Sequence, residues 1–207
     1  MSEHQAESMR HYYRIHAGIY DATRWTFLFG RKAILKKLPY EREAQQTLLE
    51  VGCGTGHNLS FLARRYPNFQ LIGMDVSADM LAQAAKRLTR YSRRTRLLEK
   101  AYGTQPCALA PDAILFSYAL TMFNPGWEAA IECAWNDLPP GGRIAVVDFH
   151  DSPSRLFRWW MSKNHVRMEG HLLPALQSRF RTEFLGIRPA WQGLWRYTMF
   201  IGVKEGN

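Results

Sequence analysis

The stretch Leu48-Leu49-Glu50-Val51-Gly52-Cys53-Gly54-Thr55-Gly56-His57-Asn58 constrains this chain more than any other. Apolar residues and one acid run into three glycines at alternate positions, which predicts a buried strand, a tight turn and the start of a helix. Glycine at 52, 54 and 56 lets the backbone take φ > 0 and lets a ligand lie against bare main chain. The spacing is G-x-G-x-G. It is not the G-x-G-x-x-G of dinucleotide folds, and no Gly-Lys-Ser/Thr follows to make a P-loop. A second apolar run, Phe69 to Met74, ends in Asp75. That acid stands about 20 residues past the last glycine, where doubly wound sheets hold a ribose hydroxyl pair.

The chain has 207 residues, 46% of them hydrophobic, which suits one sizeable α/β domain. A net charge of +9 favours anionic surfaces, either nucleic acid or acidic phospholipid. Cys53, Cys107 and Cys133 are scattered, with no metal or redox spacing, and fit a reducing cytosol. In the glycine turn Cys53 reads as a small residue rather than a nucleophile. No apolar run of about 18 residues exists to span a bilayer, and no signal-peptide apolar region is expected at the N-terminus.

From His11 to Leu38 aromatic and basic residues interleave, with Ile15, Ile19, Ala22, Trp25 and Phe29 near helical spacing. Such a segment lies in a membrane interface or packs its aromatic face on the domain. Pro39 stops it. Strands are predicted at about 46–51, ending at Asp75, at about 96–100, at 112–118 and at 144–149. Helices are predicted at 58–66, from Ala78 to about Tyr91 with Ser77 as N-cap, and from Trp127 to Leu138. The basic run Lys86, Arg87, Arg90, Arg93, Arg94, Arg96 and Lys100 partly suits a helix C-terminus and leaves a patch open to phosphates. Ser117, Tyr118, Thr121, Met122 and Phe123 follow the fourth strand, where open α/β sheets place ligands; Met122 and Phe123 suit plain core as well. Ser154 to Met161 again mixes basic and aromatic residues. Segments 184–187 and 195–203 read as a final strand pair.

With Glu50 before the glycines and Asp75 after them, the chain resembles a class I S-adenosylmethionine-dependent methyltransferase. The resemblance implies a Rossmann-like α/β fold: a seven-stranded, mostly parallel sheet in the order 3-2-1-4-5-7-6, helices on both faces and an N-terminal helical extension. It divides the chain into a substrate- and membrane-facing cap, residues 1–44, and a cofactor-binding domain, residues 45–207. It implies S-adenosylmethionine as cofactor, held by Glu50, Gly52, Cys53, Gly54, Gly56, Asp75, Val76, Met80, Ala101, Tyr102 and Ser117. Family members commonly carry an aspartate after the third strand for the adenine amino group. Here Ala101 and Tyr102 stand in that region, and Tyr102 is placed to stack on adenine.

Two flanking segments are similar to the bacterial methyltransferase that completes betaine lipids. One holds Tyr13, His16, Ala17, Tyr20, Asp21, Thr23, Arg24, Trp25 and Phe27 to Arg31; the other runs from Arg188 to Tyr197. That resemblance implies three methyl transfers to the amine of diacylglyceryl-homoserine. It implies an upstream enzyme that makes this lipid and a peripheral site on the cytoplasmic face of an anionic membrane. Phosphatidylethanolamine N-methyltransferases share the spacing of Tyr13, Ala17, Tyr20 and Asp21 and are the alternative, followed by RNA or soluble small-molecule methyltransferases and by a non-catalytic scaffold. Neither a metal nor nucleic acid is expected. A cationic methyl donor disfavours the ammonium form of a neighbouring amine, so a weak proton acceptor suffices: Tyr20, Tyr118 or His16. Tyr13, Tyr20, Tyr118, Trp195 and Tyr197 are candidate walls for a quaternary ammonium product. Arg24, Arg31 and Arg196 are candidates for a substrate carboxylate or the cofactor's own, and Met122 for the substrate wall.

Overall fold

The computed structural model describes residues 28–103, 109–123, 125–163 and 166–206. Seven strands make one sheet: β1 (Thr47–Val51), β2 (Gln70–Asp75), β3 (Thr95–Glu99), β4 (Ala113–Ser117), β5 (Arg143–Asp151), β6 (Arg181–Ala190) and β7 (Trp195–Val203). Their order is β3-β2-β1-β4-β5-β7-β6, as the resemblance implies. Pairings from β3 to β5 are parallel, and β7 runs antiparallel to both neighbours.

Strand residues alternate between two cores, as a period of two requires. Leu48, Leu71, Leu115, Val147, Met199 and Ile201 face one side. There they meet α1 (Arg31–Lys36), α2 (His57–Arg65) and α3 (Ala78–Leu88) through Ile34, Leu35, Leu59, Leu62, Leu81 and Ala84. Leu49, Ile72, Ile114, Phe116, Val146 and Phe200 face the other side, under α4 (Trp127–Asp137) and α6 (Leu172–Arg179). Each fully buried Leu, Ile or Phe of this kind contributes about 1.5–3 kcal/mol. That both faces are covered explains why the central strands read as near-continuous apolar runs.

Local chemistry sets the element ends. Ser77 caps α3, its Oγ accepting from Met80 N at 3.3 Å, as its sequence position predicts. The α-helix closes at Leu88, earlier than the expected Tyr91, and Thr89–Arg94 continue as a 3₁₀ turn. Gly30, at φ 78°, starts α1; a Cβ there would lie 2.4 Å from the Tyr197 ring, so only glycine fits. Arg94 reaches back to the end of α2, donating to the carbonyls of Tyr66 at 3.0 Å, of Phe69 at 3.2 Å and of Ala63. Part of the basic run therefore serves helix termination within the fold.

The sequence marks Ser154 to Met161 as basic and aromatic and assigns no element between there and the final strand pair. That stretch forms α5 (Arg155–Lys163), and α6 follows before β6. β6 extends well beyond 184–187 on both sides, pairing along β7 with a bulge between Thr182 and Phe184.

Candidate active site

β1 delivers the glycine turn. Gly52, Gly54 and Gly56 all have positive φ, at 69°, 52° and 73°. The turn hangs from β2: Gly52 N and Cys53 N donate to Met74 O at 2.8 and 3.0 Å. A Cβ on Gly52 would sit 3.0 Å from that of Ala119, so the turn needs a bare backbone. Asp75 closes the cradle. Its Oδ2 accepts from Gly54 N at 2.8 Å and its Oδ1 from Ser77 N at 3.0 Å. Arg87 crosses from α3 and donates to Thr55 O, fixing the turn from outside.

At the other end of the turn lies a relay that the sequence reading did not assemble. Glu50 is buried at the end of β1 and accepts from Asn58 Nδ2 at 2.6 Å. Asn58 Oδ1 in turn accepts from Arg31 Nη2 at 3.0 Å. Asn58 follows the glycine motif directly, and that was the available signal. Arg31 comes from α1, and its charge partly opposes the rise that burial gives the Tyr118 phenol. A carboxylate and a guanidinium therefore flank one end of the cradle, and Asp75 stands at the other.

Beyond β4 the chain turns sharply. Tyr118 has φ 56°, its N donates to Val147 O at 2.8 Å, and its hydroxyl donates to Phe29 O at 2.8 Å. Its ring meets Phe149 edge-on at 4.8 Å. Burial first, and then the Asp148 charge, push its pKa well above 10. A buried neutral phenol already donating its proton is a poor proton acceptor, so Tyr118 is corrected from that role to one of positioning Phe29. Asp148 is the second group the sequence reading missed, although it ends an apolar run much as Asp75 does. Fully buried, it accepts from Thr121 Oγ1, from Phe149 N at 2.8 Å and from Thr121 N at 3.3 Å. Burial raises its carboxyl to about 6.

Other candidates separate. Trp195 is wholly buried, stacked on Phe157 at 5.3 Å, so it is core rather than an ammonium wall. Tyr197 is half-buried and stacks on Phe29 at 6.3 Å, on the rim. Arg196 forms a two-point pair with Asp151, Nε to Oδ1 at 2.6 Å, and is committed there rather than to a substrate carboxylate. Tyr102 turns into the core and donates to Asp137 Oδ2 at 2.7 Å, with Phe116 edge-on at 5.8 Å; that geometry spends the ring that adenine stacking needs. Ala101 and Val76 are half-buried beside the end of the sheet. Met80 and Ser117 are buried, and Met122 packs partly against the core. Cys53 is buried, its Sγ 2.9 Å from where a Cβ on Gly73 would lie, so it fills space under the turn. Tyr13, His16, Tyr20 and Arg24 lie outside the described residues.

Residues 48–142 match the family model described as "Methyltransferase domain". The trans-aconitate 2-methyltransferase of Afipia carboxidovorans is 36% identical over 125 residues, which are 58% of this chain and 45% of that protein. That of Methylobacterium nodulans is 29% identical over 184 residues, 84% of this chain and 67% of that protein. The chain spans about half the length of the first relatives it matches. Among solved structures, the N-methyltransferase NodS of Bradyrhizobium japonicum with S-adenosylhomocysteine superposes with a TM-score of 0.71 at 20% identity, over 85% of this chain and 86% of that one. A Haemonchus contortus phosphoethanolamine N-methyltransferase with phosphomonomethylethanolamine and S-adenosylhomocysteine gives 0.72 at 15% identity, over 94% and 59%.

The cradle fits the cofactor of such domains: bare backbone under the turn, a carboxylate and a guanidinium for an amino-acid end, and Asp75 for a ribose. With the sheet order and the match of residues 48–142 to a methyltransferase domain, these features give the chain the Rossmann-like methyltransferase fold and make it similar to class I S-adenosylmethionine-dependent methyltransferases.

Proposed function

We propose that the protein is an S-adenosylmethionine-dependent N-methyltransferase acting on a lipid-borne amine, diacylglyceryl-homoserine, and that it completes the trimethylated betaine lipid at the cytoplasmic face of an anionic membrane. An upstream enzyme supplies the homoserine lipid. The observation that supports the lipid reading is the surface at the carboxyl ends of β4 and β5 and the amino end of β7. It exposes apolar side chains, among them Phe29, Leu156, Trp160 and Leu194, where a soluble acid would call for cations. Cations at this edge are partly committed: Arg196 to Asp151, and Arg158 to Ser152 O at 2.8 Å.

When bound, S-adenosylmethionine supplies an electrophilic methyl group to the acceptor nitrogen. The chain's own part is alignment and exclusion of water. The glycine turn and Asp75 fix one reactant; Glu50, Asn58 and Arg31 take up its charged end. Tyr118 holds the carbonyl of Phe29 and so sets the rim beside which an amine enters. Tyr197 and Phe29 offer ring faces to a nitrogen that becomes a fixed cation. With Tyr118 occupied as a donor, the proton acceptor is assigned to His16, Tyr20 or water.

Incubation of the protein with methyl-labelled cofactor and a lipid extract, beside separate incubations with phosphatidylethanolamine and with trans-aconitate, tests the reading. Label in di- and trimethylated homoserine lipid, resolved by mass, supports it. Label confined to phosphatidylethanolamine derivatives or to a trans-aconitate ester overturns it.

A further inference from the structure

α5 and the tip of the β6–β7 hairpin form one corner at the edge where the strands end. Trp159 and Leu156 on α5 are 58% and 75% exposed, and Trp191 at the hairpin tip is 55% exposed. Internal bonds hold the two pieces together. Ser152 Oγ, just before α5, donates to Leu194 O at 2.6 Å, and Phe157 of α5 lies 15° from parallel over Trp195. The corner is therefore built, not a pair of loose loops.

The backbone of the tip is unusual. Trp191, Gln192 and Gly193 are consecutively left-handed, at φ 45°, 56° and 94°. Two of the three have a Cβ, and such residues keep that conformation only where the surroundings impose it. Here the result is an indole turned outward. The charge is one-sided as well. Residues 155–163 and 184–196 contain Arg155, Arg158, Lys163, Arg188 and Arg196 and no Asp or Glu. Asp151, paired with Arg196, offsets part of this charge from the neighbouring strand. Lys163 Nζ lies 5.8 Å from the centre of the Trp159 ring. Indoles with a polar tip beside long cations are the combination that settles at the level of lipid head groups.

We propose that this corner is a bilayer-seating element: Trp159 and Trp191 enter the head-group layer of an anionic membrane while the surrounding arginines and Lys163 meet its phosphates. The proposal rests on the lipid reading above and adds to it the surface that brings the site to its substrate. The charge chooses the occupant, since Arg155, Arg158, Lys163 and Arg188, which remain once Arg196 is paired with Asp151, complement an acidic bilayer among these apolar side chains and repel a second copy of the same corner.

The test uses the full-length protein with phosphatidylcholine vesicles, with and without phosphatidylglycerol, and with brominated acyl chains as quencher. Sedimentation with phosphatidylglycerol vesicles and quenching of tryptophan emission are expected. The double variant Trp159→Ala/Trp191→Ala is expected to bind at least about tenfold more weakly, with an unchanged thermal midpoint because both side chains are exposed. Methyl transfer by the double variant to detergent-dispersed lipid is expected to persist while transfer to vesicles falls. No quenching of the wild type, whether residues 1–27 or a second copy covers the corner, overturns the proposal. So does a double variant that binds vesicles as the wild type does, or one that loses detergent-phase transfer as well. A wild type that seats on vesicles yet methylates no lipid leaves the seating element standing and defeats the functional reading.

Discussion

Replacing Asp148 by asparagine separates a buried charge from the shape that carries it. The carboxylate is wholly enclosed at the end of β5 and ties the turn at Thr121 to that strand. Burial raises its pKa from 3.8 to about 6, and its hydrogen bonds recover only part of the desolvation cost. The folded protein therefore takes up this proton more readily than the unfolded chain does. Its contribution to stability is complete below pH 3.8 and is lost as pH rises through about 6. A difference of about two pKa units, at about 1.4 kcal/mol each, makes the swing about 3 kcal/mol. Urea unfolding of the wild type and of Asp148→Asn, from about pH 4 to about pH 7.5, measures it. Toward acid the wild type should gain about 3 kcal/mol relative to the variant, because the variant has nothing to titrate at this site. A stability difference that stays flat across that window refutes the reasoning.

Arg31→Gln should weaken S-adenosylhomocysteine binding by roughly 10- to 100-fold in calorimetry, and methylthioadenosine binding, which lacks the amino-acid end, by no more than about twofold. Equal losses for both ligands would show damage to the cradle instead of loss of a carboxylate partner. Gln192→Gly removes the left-handed penalty at the hairpin tip and should stabilise the protein by about 0.5–1 kcal/mol after the extra chain entropy of glycine is deducted. Thermal unfolding that shows no gain would mean the tip is not strained.

The cofactor half was legible because its chemistry is local. The three glycines, Glu50 and Asp75 lie within two strand–turn units, and the turn needs bare backbone at fixed spacing. The strand order followed from resemblance rather than from periodicity. Pairings across the sheet were not legible. Arg196 and Asp151 stand on adjacent strands and meet only because the β5–β7 register shifts between Phe149 and Asp151. Tyr102 and Trp195 show why an aromatic residue near a site is ambiguous. Composition cannot tell a ring that lines a mouth from one that fills the core, although Trp195 shares the alternation of Met199 and Ile201, which face the core. The sequence leaves Arg31 open to a substrate carboxylate or the cofactor's own; α1 places it by Asn58 at the glycine turn, on the cofactor side.

Asp75 spends an oxygen on the main chain at each side, one amide in the glycine turn and one before α3, and the turn itself is hung from β2 by backbone bonds. Recognition written largely in peptide groups is indifferent to most side-chain drift. Evolution can thus hold this half constant while it rewrites what lies past residue 142, where the family model ends. Relatives with unlike acceptors should therefore diverge first in the segments that follow β5, and an acceptor exchanged by engineering should be sought there, leaving the nucleoside end untouched.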